Sequence, residues 1–237
     1  MKSLLAPIAL LFFLQANAQD CNTMFTSYIK GASFETTHYD ATNAVKGKNT
    51  STVTDVKNTS DGKIISLHAA SVDNNNKKIG ETDITIVCEG NTVKLDFAGA
   101  MAHANPMAGK GNFDMKFDKT DIEFPAKPVV GQTIPDDKIV MNIINKSSAT
   151  VIGTNTINFK NRKVVSKESV TTPAGTFECY KISSDVSMEM NMMGNALPPR
   201  VHKSESYVSS SVGIVKAIIY DETGKVTMTS LLTKVNK

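Results

Sequence analysis

From residue 32 to the C-terminus, apolar or β-branched residues alternate with polar ones in short runs, and most runs end in a cluster of Asn, Asp or Gly. Successive side chains of an extended strand point to opposite faces, so such runs bury one face and wet the other. The pattern predicts strands over residues 32–40, 50–58, 63–73, 82–88 and 92–97. It resumes over 112–118 and 121–124, then over 138–145, 150–159, 162–171, 176–190, 201–209, 213–221 and 225–235. The breaks Thr59-Ser60-Asp61-Gly62, Asn74-Asn75-Asn76-Lys77 and Asp221-Glu222-Thr223-Gly224 carry residues that tolerate tight turns, so neighbouring strands should pair as hairpins. Between 98 and 111 the alternation gives way to Ala, Met and Gly with His103 and Pro106, read here as a loop. Pro125, Pro128 and Pro135 punctuate a connection that belongs at an edge or between sheet regions, because proline cannot donate to a ladder. About a dozen strands in one chain must curl or split their sheet. The expected fold is all-β, a mostly antiparallel meander forming a curved half-barrel or barrel-like sandwich, in one domain over residues 19–237.

The N-terminus carries a different signal. Lys2 precedes an apolar run over residues 4–14 and then Ala16-Asn17-Ala18, the pattern of a secretory signal peptide over residues 1–18, with cleavage before Gln19. The run is too short for a spanning helix, which needs about 20 apolar residues. Cys21 stands two residues beyond the position a lipid-anchoring cysteine would take. These features predict an exported chain, periplasmic or secreted, with no membrane span. In an oxidising compartment two of the three cysteines can pair. Cys179 lies within a long strand and reads as a small buried hydrophobe, whereas Cys21, on a terminal segment, gains from being tied down. Cys21 and Cys88 are the favoured disulfide.

Charge excludes one class of partner. The formal net charge is +3, from 26 basic and 23 acidic residues, and the two signs are interspersed, without the basic stripe of a nucleic-acid binder. No catalytic motif is complete. Ser27-Tyr28-Ile29-Lys30 and Ser60-Asp61-Gly62-Lys63 fit S-x-x-K without its partner motifs, and Gly111, not a hydroxyl residue, follows Gly109-Lys110. His38, His68, His103 and His202 show no ligand spacing. The reading is therefore of a protein that is not an enzyme and holds no cofactor.

Residues 161–164 lead into Glu168-Ser169-Val170-Thr171-Thr172-Pro173-Ala174-Gly175-Thr176-Phe177-Glu178-Cys179-Tyr180-Lys181-Ile182, a segment that resembles the DUF3108-like, TapB-type family of exported bacterial proteins. Gly213-Ile214-Val215-Lys216 is similar to that family's closing hairpin, and Lys30-Gly31-Ala32-Ser33-Phe34-Glu35 to its opening strand. The resemblance implies an exported all-β domain and supplies no catalytic or ligand residues. Tyr207 stands where a tryptophan is common in the family, and this chain has no Trp.

Methionine is the compositional oddity: Met188, Met190, Met192 and Met193 cluster, and Met101 and Met107 lie in the other irregular stretch. Three expectations compete: thioethers, with His103 or His202, that hold Cu(I); pliable side chains that line a groove for an apolar guest; or one face of a strand packed on the core. The candidate ligand site is placed beneath two lid loops, 98–111 and 191–200, at Met101, Met107, Met192, Met193 and Leu197. The function expected is an exported binding or scaffold module for an apolar ligand or an envelope protein; the alternatives are a Cu(I)-binding protein and an envelope enzyme with an unrecognised site.

Overall fold

The structure, a computed structural model, describes residues 21–104 and 112–237, with the backbone alone at residues 22 and 101–104. The signal segment, its cleavage point and Met107 lie outside the described residues. Five strands open the chain: β1 (Ser33–Asp40), β2 (Val45–Asn58), β3 (Gly62–Asp73), β4 (Lys78–Glu89) and β5 (Thr92–Asp96). A helix, α1 (Phe97–Ala104), separates them from β6 (Phe113–Phe117), β7 (Asp121–Pro125) and β8 (Asp137–Asn145). Then come β9 (Thr150–Thr172), β10 (Gly175–Met192), β11 (Asn195–Ala196), β12 (Arg200–Ser209), β13 (Gly213–Tyr220) and β14 (Val226–Asn236).

All fourteen strands join one antiparallel sheet in the order β6-β8-β9-β10-β12-β13-β14-β1-β2-β3-β4-β5-β7, with β11 paired to β10. Three hairpins share one tip chemistry. Asp40 and Asp73 end their strands and Asp221 directly follows β13, and each carboxylate accepts from the backbone N–H two and four residues on, at 2.9–3.1 Å. The residue between those two donors, Asn43, Asn76 or Gly224, takes a positive φ of 64°, 61° or 82°, a conformation that Asn and Gly adopt at least cost.

The topology curls the sheet. β6 and β7 are the two edges of the strand path, yet only residues 118–120 connect them. Four peptide steps reach about 14 Å at most, so the edges must meet. They meet without a ladder: the sheet is curved and not closed into a barrel. The Asp118 N–H donates to the Val140 carbonyl at 3.0 Å, Lys119 pairs with Asp137 at 2.7 Å, and the Glu123 N–H donates to Asp137 Oδ2 at 3.3 Å. Beyond the end of β8, the proline-punctuated connection fills the gap beside β9, with the Ile134 N–H on the Arg162 carbonyl at 2.8 Å and the Val164 N–H on that of Gln132 at 2.9 Å.

Arg162 stitches this seam. Its guanidinium, 3 % exposed, donates to the Pro135 carbonyl at 2.9 Å and the Glu123 carbonyl at 2.6 Å, and lies 4.8 Å from the Phe124 ring centre. Burial pulls its pKa down, opposed by Asp137, Asp136 and Glu123. The inward turn of Arg162 comes from a bulge. Two strands were expected over 150–159 and 162–171, but β9 is continuous: Asn161 takes φ 53° where the β9–β10 register shifts. One extra residue there re-aims the chain without reversing it.

Two further expectations are corrected. Residues 97–104 of the supposed loop at 98–111 form α1, because Asp96 caps the helix, accepting from the Gly99 N–H at 2.9 Å, and alternate alanines from Ala98 to Ala104 favour it. The second supposed lid, 191–200, is mostly hairpin. β10 runs to Met192, Met193 and Gly194 take φ 52° and 83°, and β11 returns with Asn195 opposite Met192. Two positive φ values in a two-residue loop make the turn that matches strand twist.

Candidate functional site: an apolar cavity under an N-terminal plug

The concave face of the sheet is not filled throughout. The largest core cluster joins Phe34, Val53, Leu67, Ile86, Val93 and Leu232 with Met24 and Phe25 of the N-terminal segment. Between that segment and the sheet lies a cavity of about 710 Å³, inside the range of about 300–1,000 Å³ typical of small-molecule sites. Its walls are mostly apolar, with Leu67, Ile84, Ile86, Leu95, Ile182 and Val208 from the strands, Met24, Phe25 and Tyr28 from the plug and Phe124, Pro125, Ala126 and Pro128 from the seam, while Thr36, Ser51, Ser206 and Ser210 add hydroxyls. The charged members of the lining, Lys127, Lys167 and Glu178, are exposed and mark where the cavity meets solvent.

The plug is pinned by several kinds of contact. Cys21 is bonded to Cys88 on β4, the pairing expected from sequence. Gly62 makes room for it, since a Cβ there would strike the Cys88 carbonyl and lie 2.9 Å from Cys21 Cβ. Lys63 Nζ donates to the Met24 carbonyl at 2.9 Å, and the Phe25 N–H to that of Ser210 at 2.5 Å. Tyr28 stacks on Phe34 with centroids 4.4 Å apart, meets Phe25 edge-on at 5.1 Å, and donates its hydroxyl to the Val212 carbonyl at 3.1 Å. Burial raises the Tyr28 pKa, so the phenol stays a neutral donor.

The sequence-predicted site residues lie elsewhere. Met192 is half-buried near the tip of the β10–β11 hairpin, Met193 is 77 % exposed at that tip, and Leu197 is half exposed just beyond it. None of the three lines the cavity. Ile182, on the cavity wall, and Met192 are ten residues apart on the same strand, on the order of 30 Å. Met101 lies in α1, and Met107 falls outside the described residues. Met188 packs against the small cluster of Ile122, Ile139 and Ile157, with Phe97 and Phe117, as a core residue does. Sequence reading missed the cavity because its lining residues are the inward positions of ordinary alternating strands. Alternation says which face is inside and not whether the inside is filled.

Of the other titratable groups, His38, His68 and Cys179 have local partners or are buried. His38 Nδ1 is 2.8 Å from Ser230 Oγ, and its pKa is lowered by burial, opposed by the hydrogen bond it makes to Asn49. His68 sits exposed between Asp83 and Glu81. Cys179 is fully buried, its thiol pushed up to about 11 by burial and by Glu178 and Glu168. Among the described residues no three His, Cys, Asp or Glu side chains gather as a metal cluster, and no helix is long and apolar enough to cross a membrane.

Two solved structures share the architecture. One is a candidate lipoprotein from Parabacteroides distasonis, 18 % identical, with a TM-score of 0.71 over 90 % of this chain and 98 % of that one. The other is a protein from Bacteroides fragilis described as exported and of YmcC-like fold, 18 % identical, with a TM-score of 0.69 over 90 % and 99 %. At that identity they establish the fold alone. No curated protein is similar to the chain. The DUF3108-like family matches residues 29–232, which takes in every strand residue lining the cavity, and the chain belongs to that family.

Proposed function

We propose that this protein is an exported binding module of the cell envelope, not an enzyme, that holds an apolar guest between its N-terminal plug and the concave face of its sheet. The observation that carries the reading is the cavity itself: about 710 Å³, several times the roughly 150 Å³ that accommodates one benzene, and lined by aliphatic and aromatic side chains. Leaving so much apolar surface uncovered costs stability in proportion to its area, and a guest recovers that cost. The signal-like residues 1–18 support export, as do the descriptions of the two structural neighbours as a candidate lipoprotein and an exported protein. Exposed Lys127 and Lys167 at the opening suit a guest whose polar end stays in water.

The test is uptake of a fluorescent fatty-acid probe by delipidated protein. Leu67→Trp and Ile84→Trp place bulk in the cavity and should each reduce uptake at least tenfold while the far-ultraviolet β signal persists. Uptake undiminished in both folded variants would overturn the proposal.

A further inference from the structure

At the far end of β10 from the cavity, a second feature of the same sheet face calls for a ligand of different chemistry. Asn155 on β9 is 7 % exposed, and its Oδ1 is buried with no hydrogen-bond partner. A buried, unpaired amide oxygen costs about 1–3 kcal/mol, and such orphans are few in a folded chain. Its lateral neighbours are both methionines: Met141 lies directly opposite on β8 and Met190 directly opposite on β10. Directly opposed residues of an antiparallel pair project to the same face with Cβ atoms about 5 Å apart. The next position along β10 on that face is Met192, whose Sδ packs against the bare backbone of Gly153, opposite it on β9. Two methionines therefore stand beside Asn155 on one sheet face, and a third lies one pleat away. The glycine at 153 leaves the space that Met192 uses.

We infer that Met141, Met190 and the Oδ1 of Asn155, with Met192 in reach, form a site for a soft monovalent cation of the Cu(I) or Ag(I) class. Thioethers are soft donors that select Cu(I) over hard ions. The donor set is uncharged, which suits a single positive charge better than a divalent ion. The inference does not rest on the apolar cavity, which lies at the other end of β10. It differs from the set read from sequence alone, since Met193 projects from the hairpin tip and Met188 belongs to the core, and Met141 and Asn155, which hold the centre, were not in that set.

The experiment uses Ag(I), which needs no reductant. The free thiol of Cys179 would compete for it, so titrations followed by native mass spectrometry are run on the Cys179→Ala protein. One retained Ag(I) per chain is expected, with affinity reduced at least tenfold by the near-isosteric pair Met141→Leu and Met190→Leu and unchanged by Met193→Leu. Methyl NMR of the Cys179→Ala protein gives a readout that needs no methionine variant to fold: the Met141 and Met190 methyl resonances should move together and saturate with Ag(I), while that of Met193 stays in place. No retained ion, retention undiminished in the Met141/Met190 pair, or methyl shifts confined to other methionines would each overturn the inference.

Discussion

Replacing Arg162 with Met should open the seam of the sheet. The substitution keeps an unbranched stem of similar length and removes the guanidinium. Two carbonyls, of Pro135 and Glu123, lose a charged donor at 2.9 and 2.6 Å, and hydrogen bonds of that kind contribute about 1.5–3 kcal/mol each. The gross loss is thus about 3–6 kcal/mol. Two circumstances hold the net near the lower end: Asp137, 3.9 Å from Arg162, keeps Lys119 at 2.7 Å, and the new thioether buries apolar surface beside Phe124. About 3 kcal/mol is expected, which at a urea dependence of about 3 kcal/mol per M lowers the unfolding midpoint by about 1 M. Lys163→Met, the exposed neighbour, is the control and should change the midpoint little. Hydrogen exchange should locate the damage, with the Ile134 and Val164 amides losing protection before those of β2 and β3. A loss under 1 kcal/mol, or equal loss of protection across the sheet, would refute the view that Arg162 ties β7 and the 126–136 connection to β9.

The Cys21–Cys88 bond closes a loop with a sequence separation of 67, and loop-closure entropy then predicts a loss of about 4 kcal/mol on reduction, measured by urea unfolding with and without reductant. Cys179, buried and with its thiol pushed up to about 11, should resist iodoacetamide at pH 8 in folded protein and react fully once unfolded. The Asp221 pKa is lowered from its usual 3.8 by hydrogen bonds from Thr223 and Lys225. Its folded pKa is the depressed one, so the β13–β14 tip gains stability present above pH 3.8 that is lost as the pH falls through the lower folded value. Asp221→Asn should flatten that part of the acid-unfolding curve.

How much of this was legible in the sequence differs between strand, tip and interior. The alternation over β3, from Ile65 through Leu67 to Ala69, and the turn chemistry at Asp73 and Asp221 are local signals, and the corresponding strands and hairpins lie within a few residues of where they were expected. Asn161 was less legible: an Asn between two alternating runs reads as a turn, and only pairing along both edges of β9 keeps the strand running through it as a bulge. Residues 97–104 carried a helix signal in Asp96 and the alternating alanines, obscured by Gly99 and by a length of two turns. Residues 191–200 read as a lid from their apolar content, but Met193-Gly194, with positive φ values, make a hairpin tip. The seam and the cavity were beyond local pattern altogether. The seam follows from β6 and β7 lying three residues apart in sequence at opposite edges of the strand path, and the cavity from how far the N-terminal plug fills the concave face, long-range arrangements that no single run encodes.

An apolar guest held under the N-terminal plug should be detected by native mass spectrometry of protein isolated from its own cell envelope, with the bound fraction extracted and identified. A non-covalent adduct of one apolar or amphiphilic molecule per chain is expected, displaced by the fatty-acid probe and absent from Leu67→Trp. A chain that carries no adduct, and takes up no lipid when offered vesicles of its own envelope lipids, would contradict the proposed binding.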